Sequence, residues 1–436
     1  MTVILLEYSD DLISHYQSLS VLPGFVLLES GDKGRGRYDV VTALPYQHFQ
    51  LGRDDLHIKD ALERLESLLP LTPSFGDFPF QGGAIGYVSY DFADVLAGIS
   101  REVHPDNDLP LILIGLYDWA IVVDHQTQMV SLVSADLHSE TQDIIQDIRR
   151  RWTFVQKSTP SFYLEKPFAP LITQKEYQQA FSSIHQELVR GRAYQVCYTQ
   201  PFLGHFRGET WDIYQRIRAS NPVPYAAFLR SAWGDLICFS PERFLKIDEH
   251  CVQASPIKGT AKRSSNPKID AEYRHSLLNS TKNRAENLMI VDLLRNDLSR
   301  FAIPKTVEVT ALCDLESYHG LHHLVSHIKA QTPENISPLQ VFKACFPGGS
   351  ITGAPKREAM RIISEHERYA RGVYCGNLFY LSNHGRFESN IAIRTITAKE
   401  DSLYLSAGGG IVMDSSWDEE YQECLTKLAG IVKALG

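Results

Sequence analysis

The sequence lacks the patterns that mark several common classes of protein. Its seven cysteines are scattered and never stand in C-x-x-C spacing, so neither a disulfide framework nor a zinc site is predicted. No run of about 18 apolar residues occurs, as a membrane span would need. The N-terminal stretch MTVILLEYSDDL has neither the basic start nor the small-residue cleavage site of a secretion signal. We therefore expect a soluble, cytoplasmic protein with reduced thiols.

Basic residues are also fewer than acidic residues. The formal net charge of -9 disfavours nucleic acid or an anionic membrane as the main partner. An anionic substrate would have to be held by local cations and backbone amides. The 436 residues, 44% of them hydrophobic, exceed one simple domain, so we expect two lobes or one large composite domain.

Strand pairs are indicated at three places, where two apolar runs flank a polar turn. They are residues 119–134, residues 376–395 with Asn-His-Gly at the bend, and residues 394–406. Hairpins in succession predict antiparallel sheets rather than a parallel β-α-β series. With the helices described next, they give an α+β fold class.

Three long helices are predicted from apolar residues at helical spacing. The first, at 174–190, has a stripe of Tyr177, Phe181, Ile184 and Leu188, and the second, at 281–300, has Ile290, Leu294 and Leu298. The last begins with a capping-box pattern, Ser416 and Glu419, and has a stripe of Tyr421, Leu425, Leu428 and Val432.

A domain boundary is predicted in the polar stretch 149–170, which has weak periodicity. It separates an N-terminal region, 1–155, from a C-terminal domain, 165–436. The two are expected to pack as one intertwined unit.

Oxygen ligands stand near the starts of two of the predicted helices. Glu420 and Glu423 are three residues apart in one helix, and Asn283 and Glu286 are three apart in another, so each pair projects from one side. Mg²⁺ prefers a few carboxylates together with waters and an oxygen-rich substrate. The alternative is that the glutamates merely interact with the helix macrodipole.

Two glycine-rich segments offer free backbone N–H groups to an anion. Residues 346–356, FPGGSITGAPK, run into a helix with Lys356 in its first turn. The segment does not match G-x-x-x-x-G-K-[ST], which disfavours a Walker-type nucleotide site. Residues 406–412 form a second cluster, and Arg394 ends the strand before it. Each alone is explained by turn chemistry or a surface arginine; together they predict a pocket for a small, multiply anionic acid.

The order and spacing of nine motifs resemble the chorismate-utilising enzymes. The motifs are YQV at 194, SPERF at 240, PIKGT at 256, NRAENLMIVDLLRNDLSR at 283, HHLVS at 322, PGGSITGAPK at 347, IRT at 393, AGGGIV at 407 and DEEYQE at 418. This family includes anthranilate, isochorismate, salicylate and aminodeoxychorismate synthases. The resemblance implies two large, mainly antiparallel sheets packed as a four-layer α/β/β/α sandwich. It is dense over residues 172–435 and weaker before them.

Lys258 distinguishes the branches of the family. Anthranilate synthases resemble this stretch but have alanine at the position of Lys258, whereas the aminodeoxychorismate synthases carry PIKGT with the lysine as a covalent nucleophile. An amine on a strand edge in an apolar setting loses solvation, which favours its free base. The alternative is a lysine whose stem covers apolar surface. Isochorismate and salicylate synthases have a water-activating lysine where this chain has Gln195.

The resemblance implies Mg²⁺-dependent amination of chorismate at C4 through a Lys258 adduct at C2. Glu242 would be the general acid, and His323 and Ser350 would lie near C4. The metal would be bound directly by Glu286 and Glu423, and through water by Asn283 and Glu420. The substrate would be held by Gly353, Lys356, Tyr374, Arg394, Gly408 and Gly409. Cys197 and Phe379 depart from the asparagine and glycine usual in the family, which leaves local packing and turnover rate open.

The nitrogen donor is expected to be a separate partner. No cysteine stands in the G-x-C-x-G context of a glutaminase, so ammonia would come from a glutamine amidotransferase subunit. A further enzyme would release 4-aminobenzoate for folate synthesis. Ser30, Pro224 and Tyr225 resemble a tryptophan pocket. Two alternatives remain: an anthranilate synthase, which Lys258 disfavours, and a non-catalytic tryptophan-binding relative.

Overall fold

The structure, a computed structural model, describes residues 1–31, 36–55, 58–101, 104, 109–155, 160–317 and 321–436. Two large sheets, antiparallel in every strand pairing of this part, are combined with helices. The predicted α+β class with two antiparallel sheets is therefore confirmed. None of the helices in these ranges combines the length and hydropathy of a membrane span.

The helices and strands of the described residues have the following bounds. The helices are α1 (Leu12–Ser20), α2 (Ala61–Ser67), α3 (Asp91–Ala97), α4 (Thr141–Thr153), α5 (Gln174–Val189), α6 (Thr210–Ser220), α7 (Pro267–Leu278), α8 (Thr281–Ser299), α9 (Pro338–Cys345), α10 (Lys356–His366) and α11 (Trp417–Leu435). The strands are β1 (Thr2–Leu6), β2 (Val26–Glu29), β3 (Tyr38–Thr42), β4 (Gln47–Leu51), β5 (Gly83–Val88), β6 (Ile112–Tyr117), β7 (Trp119–Asp124), β8 (Met129–Ser134), β9 (Tyr163–Pro170), β10 (Gln195–Arg207), β11 (Tyr225–Leu229), β12 (Asp235–Ser240), β13 (Arg243–Asp248), β14 (Cys251–Ala254), β15 (Ile257–Lys262), β16 (Glu308–Ser317), β17 (Leu321–Gln331), β18 (Gly353–Ala354), β19 (Asn377–Ser382), β20 (Phe387–Asn390), β21 (Thr395–Lys399) and β22 (Ser402–Ile411).

Both sheets mix strands from the two halves of the chain. The first sheet has the order β1-β8-β7-β3-β2-β11-β12-β21-β22-β10-β18, with β9 on β10. The second has the order β15-β17-β14-β13-β20-β19-β5-β6-β4, with β16 on β17. Because β2 pairs with β11 and β5 with β19, the N-terminal strands complete sheets that the C-terminal strands begin.

Three hydrophobic cores separate four layers. One core lies between the first sheet and helices α1, α4, α5, α6, α10 and α11. Another lies between the second sheet and helices α2, α3, α8 and α9. The third lies between the sheets and joins residues such as Val26 and Val122 of one to Ile85 and Leu378 of the other. Strands covered on both faces read as continuous apolar runs, as in β6, ILIGLY, where every residue is buried.

Most of the predicted secondary structure is confirmed. The three strand pairs appear as β7 with β8, β19 with β20, and β21 with β22. Helix α5 buries its four predicted stripe residues, and α8 buries its three. The spacing of apolar residues was sufficient to predict these two helices, because each helix packs one face on a sheet.

One prediction about helix α11 was wrong, and another is confirmed in part. Ser416 is the N-cap residue, but its side chain makes no capping hydrogen bond. Of the predicted apolar stripe, Leu428 is buried, Tyr421 and Val432 are partly buried against the core, and Leu425 is 37% exposed. The buried face also contains Glu420, Cys424, Ile431 and Leu435. A hydropathy pattern does not anticipate the buried carboxylate of Glu420.

The predicted boundary stretch contains regular structure at both ends. Helix α4 ends at Thr153, and the mostly exposed strand β9 begins at Tyr163 and pairs with β10. Residues 156–159 lie outside the described residues. The polar composition of 163–170 thus reflects a solvent-facing strand and not only a linker.

Candidate active site

Lys258 lies on strand β15, opposite Leu324 of β17. The pairing register shifts directly after it, and Gly259 has a φ of +81°. A Cβ on Gly259 would lie 3.0 Å from the side chain of Asn283, so the lysine segment is pressed against the start of helix α8. Lys258 is half-buried, and within the described residues its ammonium has no hydrogen bond or salt bridge.

Glu242 is a buried carboxyl group with the properties of a general acid. It is 7% exposed. The Ser350 hydroxyl donates to its Oε1 at 3.0 Å, and the backbone N–H of Ile257 also donates to it. Burial raises the pKa of Glu242 to about 7, although the Lys258 ammonium and these hydrogen bonds act to lower it. At this pKa about half of the Glu242 carboxyl groups are still protonated at pH 7, so the acid form that a catalyst needs is available near neutral pH.

The loop that carries Ser350 is tied to strand β10. Ser350 lies in a short 3₁₀ turn, Gly349–Ile351, and is 9% exposed. The thiol of Cys197 donates to the carbonyl oxygen of Ser350 at 3.4 Å. Gln195, two residues earlier on β10, is fully buried, and its amide has no hydrogen-bond partner in the described part of the chain.

His323 lies one residue before the partner of Lys258 on strand β17. It is 6% exposed, and its Nδ1 is 2.9 Å from the hydroxyl of Thr260. Because Thr260 is two residues after Lys258, the histidine and the lysine belong to the same end of the two strands. The predicted place of His323 near the reacting ring is compatible with this position.

Two carboxylates converge at the start of helix α11. Glu420 is 4% exposed; its Oε1 accepts from Ser415 at 2.7 Å, while its buried Oε2 has no hydrogen-bond partner among the described residues. Burial raises the pKa of Glu420. Burial would also raise the pKa of Glu423, but the nearby cations, Lys427 first, lower it.

These carboxylates suit Mg²⁺ as part of a site that the substrate completes. No group of three or more His, Cys, Asp or Glu side chains in the described ranges forms a metal site by itself. Mg²⁺ usually takes one or two carboxylates together with waters and substrate oxygens, and the orphaned Oε2 of Glu420 fits that pattern. Lys282, at the start of α8, interacts electrostatically with Glu420 and Glu423. The helix starts that carry Asn283, Glu286 and the two glutamates are therefore near one another.

Close backbone approach explains three glycines of the predicted set. A Cβ on Gly409 would overlap the Oε2 of Glu420, and one on Gly408 would overlap the backbone of β10. Gly353 has a φ of +141°, and a Cβ there would overlap the carbonyl oxygen of Gln195. Gly408 and Gly353 thus let strand β22 and the loop lie close to β10, and Gly409 leaves space for the carboxylate of Glu420.

Lys427 is a candidate residue that the sequence analysis missed. Its ammonium donates to the carbonyl oxygen of Gly408 at 2.7 Å and forms a salt bridge of 2.6 Å with Glu423. It follows Glu423 by four residues, so the helical period places both on one face. That spacing was the available signal. The lysine adds a cation beside the place predicted for the ring carboxylate.

Arg394 is a cation without a carboxylate partner among the described residues. It adopts a left-handed backbone conformation, with a φ of +53°. Burial lowers the pKa of its guanidinium, and no neighbouring anion opposes the shift. A buried, unpaired charge is costly unless a ligand neutralises it. Tyr374 is half-buried on the adjacent segment, which is linked to this one by the backbone bond from Cys375 to Ala392, 2.9 Å long.

Lys356 contacts protein groups rather than open space. Its ammonium is 2.5 Å from Oδ2 of Asp297 and donates to the carbonyl oxygen of Cys345 at 2.9 Å. It therefore links helix α10 to α8 and α9. Two of the three N–H groups of its ammonium are therefore committed to protein partners.

The residues predicted for a tryptophan pocket line one cavity. Ser30, Pro224 and Tyr225 border a space of about 390 Å³ between the sheets. The backbone N–H of Ser30 donates to Oδ1 of Asp39 at 2.8 Å. Arg243, the neighbour of Glu242 in the chain, also lines the cavity.

Comparison with known proteins identifies the family of the chain. A family model described as chorismate binding enzyme matches residues 24–433. The chain is 39% identical over 454 residues to aminodeoxychorismate synthase component 1 of Salmonella typhimurium, covering 100% of this chain and 98% of that one. It is 30% identical over 442 residues to anthranilate synthase component 1 of Aquifex aeolicus, covering 94% and 89%. The solved structure of anthranilate synthase component I from Streptococcus pneumoniae TIGR4 matches with a TM-score of 0.82 at 27% identity, covering 91% and 92%. The chain belongs to the family of chorismate binding enzymes.

Proposed function

We propose that this protein aminates chorismate at C4 to give 4-amino-4-deoxychorismate, as an aminodeoxychorismate synthase component 1. The observation that carries the proposal is the pairing of Lys258, whose ammonium is uncommitted within the described residues, with the buried Glu242, whose pKa is raised to about 7. The full-length identity to the Salmonella protein supports the same activity. A nucleophile and an acid side by side allow one difficult substitution to proceed in two easier steps.

In the first step Lys258 gives the proton of its ammonium to solvent, and the free amine forms a bond to C2 of chorismate. The ring double bonds shift, and the C4–oxygen bond breaks. Glu242 gives its proton to the departing hydroxyl, which leaves as water. This step produces a cationic secondary amine at C2 and a carboxylate at position 242. Ser350 stabilises that carboxylate through its hydrogen bond of 3.0 Å.

In the second step ammonia forms a bond to C4. The double bonds shift back, the C2–nitrogen bond breaks, and Lys258 leaves as a neutral amine. The new C4 ammonium returns a proton to the carboxylate of Glu242. Lys258 recovers its proton from solvent, so both residues regain their starting states, and the net reaction is chorismate plus ammonia to aminated product plus water.

Other side chains would hold the substrate during these steps. Arg394 supplies a guanidinium, without a carboxylate partner among the described residues, for one substrate carboxylate, and Lys427 supplies a cation near the other. Mg²⁺, when bound by Glu420 and Glu423 with the helix α8 oxygens, would neutralise the ring carboxylate. Gly409 leaves space for the Oε2 of Glu420.

The product of the reaction tests the proposal directly. The pure chain is incubated with chorismate, Mg²⁺ and an ammonium salt, and the product is identified by mass spectrometry and reverse-phase chromatography. The 4-amino product is expected. Anthranilate with pyruvate would instead assign the chain to the anthranilate synthases.

The nitrogen source is tested in the same assay. We propose that a separate glutamine amidotransferase delivers the ammonia. Glutamine alone is then expected to give no product with the pure chain, and product is expected once the amidotransferase is added. Product from glutamine without that subunit would refute the proposed partner.

We propose a second function for the cavity at Ser30 and Tyr225, namely binding of tryptophan. Its support is that all three predicted pocket residues line one space of about 390 Å³. Calorimetric titration with L-tryptophan is expected to show one site, which Ser30→Trp should fill and abolish. Equal binding by the wild type and Ser30→Trp would place the site elsewhere.

A further inference from the structure

Arg371 is a buried arginine that lies outside the residues assigned to the reaction. It follows helix α10 and is 3% exposed. Its guanidinium donates from Nη1 to the carbonyl oxygen of Ile351 and from Nη2 to that of Cys197, each at 2.8 Å. One side chain thus joins the glycine-rich loop to strand β10.

The two carbonyl groups belong to the frame around Glu242. Ile351 follows Ser350 directly, and the Ser350 hydroxyl donates to Glu242. Cys197 donates through its thiol to the carbonyl oxygen of Ser350. The guanidinium therefore holds both the peptide that follows Ser350 and the strand whose Cys197 contacts the Ser350 carbonyl.

Glu367 holds the guanidinium in this orientation. Its carboxylate accepts from Nε of Arg371 at 2.9 Å and from Nη2 at 2.8 Å, a bidentate pair. It also accepts from the backbone N–H and the hydroxyl of Thr199, both at 2.9 Å. Thr199 is the partner of Gly408 in the sheet. A planar fork with these bonds has a fixed direction, which an ammonium would not provide.

The N-terminal half of the chain supports this pair from behind. Asp91 accepts the backbone N–H of Arg371 at 3.3 Å and lies 3.6 Å from Arg101. Arg101 also donates to Glu367 at 3.2 Å. The ring of Tyr90 lies 4.3 Å from the Arg371 guanidinium. A buried ion-pair cluster contributes little net stability. The main effect of this cluster is therefore to fix the orientation of the Arg371 guanidinium.

We propose that Arg371, oriented by Glu367, is a positioning residue that keeps the Ser350 hydroxyl on Glu242 during the reaction. The inference rests on the proposed function. Arg371 does not touch the reacting atoms, and it acts through the loop and the strand. The charged group that faces Glu242 is the ammonium of Lys258. Arg371 does not contact Lys258, so its replacement leaves the interaction of that ammonium with Glu242 unchanged.

The test compares Arg371→Lys with Arg101→Lys. Both variants retain a buried positive charge in one network, but Arg101 makes no bond to Cys197 or Ile351. For Arg371→Lys, kcat is expected to fall about tenfold while KM for chorismate changes by less than about threefold. The alkaline limb of its pH profile of kcat is expected to move to higher pH, because the hydrogen bond from Ser350 that favours ionised Glu242 is lost. Arg101→Lys should keep the wild-type limb.

A double-mutant cycle separates positioning from general damage. Ser350→Ala should reproduce the shifted limb, and adding Arg371→Lys to it should lower kcat by less than about twofold further. An unshifted limb in Arg371→Lys, or a full tenfold further loss in the double variant, would overturn the proposal. If Arg371→Lys does not fold, Glu367→Gln serves in its place with the same expected results. Wild-type product is measured first, so its absence would refute the proposed function, whereas normal wild-type product with an unshifted variant would refute the positioning alone.

Discussion

Replacing Glu242 by glutamine is expected to stabilise the fold at alkaline pH. Burial raises the pKa of Glu242 from 4.5 to about 7, so the folded protein binds this proton more tightly than the unfolded chain does. The cost of ionisation therefore grows as the pH rises from about 4.5 and is complete above about 7. At about 1.4 kcal/mol per pKa unit, it is about 1 kcal/mol at pH 5 and about 3 kcal/mol at pH 8. Glutamine avoids this cost, and its amide oxygen still accepts from Ser350.

Urea unfolding of the wild type and Glu242→Gln at pH 5 and pH 8 measures the effect. The stability gain of the variant is expected to be about 2 kcal/mol larger at pH 8, while amination is lost. Glu358→Gln is the matched control, because Arg192 lowers the pKa of that carboxyl group and its replacement should give no gain at pH 8. A gain for Glu242→Gln that is equal at the two pH values would refute the argument that this carboxyl group holds its proton near neutrality.

Two further predictions concern the substrate and the metal. Arg394→Gln should lower kcat/KM for chorismate by about 10- to 100-fold, since a charge-assisted hydrogen bond contributes about 1.5–3 kcal/mol. Steady-state kinetics measure this effect, with the exposed Arg368→Gln as the control. Equal kinetics in the two variants would show that Arg394 does not bind the substrate. Gly409→Ala should raise the Mg²⁺ concentration for half-maximal activity about tenfold, because its Cβ would overlap Oε2 of Glu420. Titration of activity after chelation measures this, and Gly52→Ala, where a Cβ meets no atom within 4 Å, should behave as wild type.

The periodic parts of the fold could be predicted from the sequence. Helix α5 and the three hairpins depend on local spacing of apolar residues, which tertiary packing then uses without change. Helix α11 could not be predicted in the same way. Its buried face includes Glu420, whose inward direction depends on Ser415 and on the space left by Gly409. Such partners are distant in sequence.

The residues of the candidate site also differ in how well the sequence predicted them. The motifs indicated Lys258 and Glu242, and the structure gives them a shared environment. The pattern did not indicate Arg371, because a surface arginine and a buried bidentate one look alike in sequence. Lys356 is the opposite case. Its place after a glycine-rich loop indicated a contact with an anionic substrate, whereas its ammonium forms a salt bridge with Asp297 of the protein.

The central claim is that Lys258 attacks chorismate, and peptide mass spectrometry tests it most directly. The wild-type chain is mixed with chorismate and Mg²⁺ without ammonia, quenched in acid and digested. The peptide containing Lys258 is expected to gain the mass of chorismate less one water, and Lys258→Ala is expected to lose both this adduct and most of the amination. An unmodified wild-type peptide, together with unchanged 4-amino product from Lys258→Ala, would contradict the account.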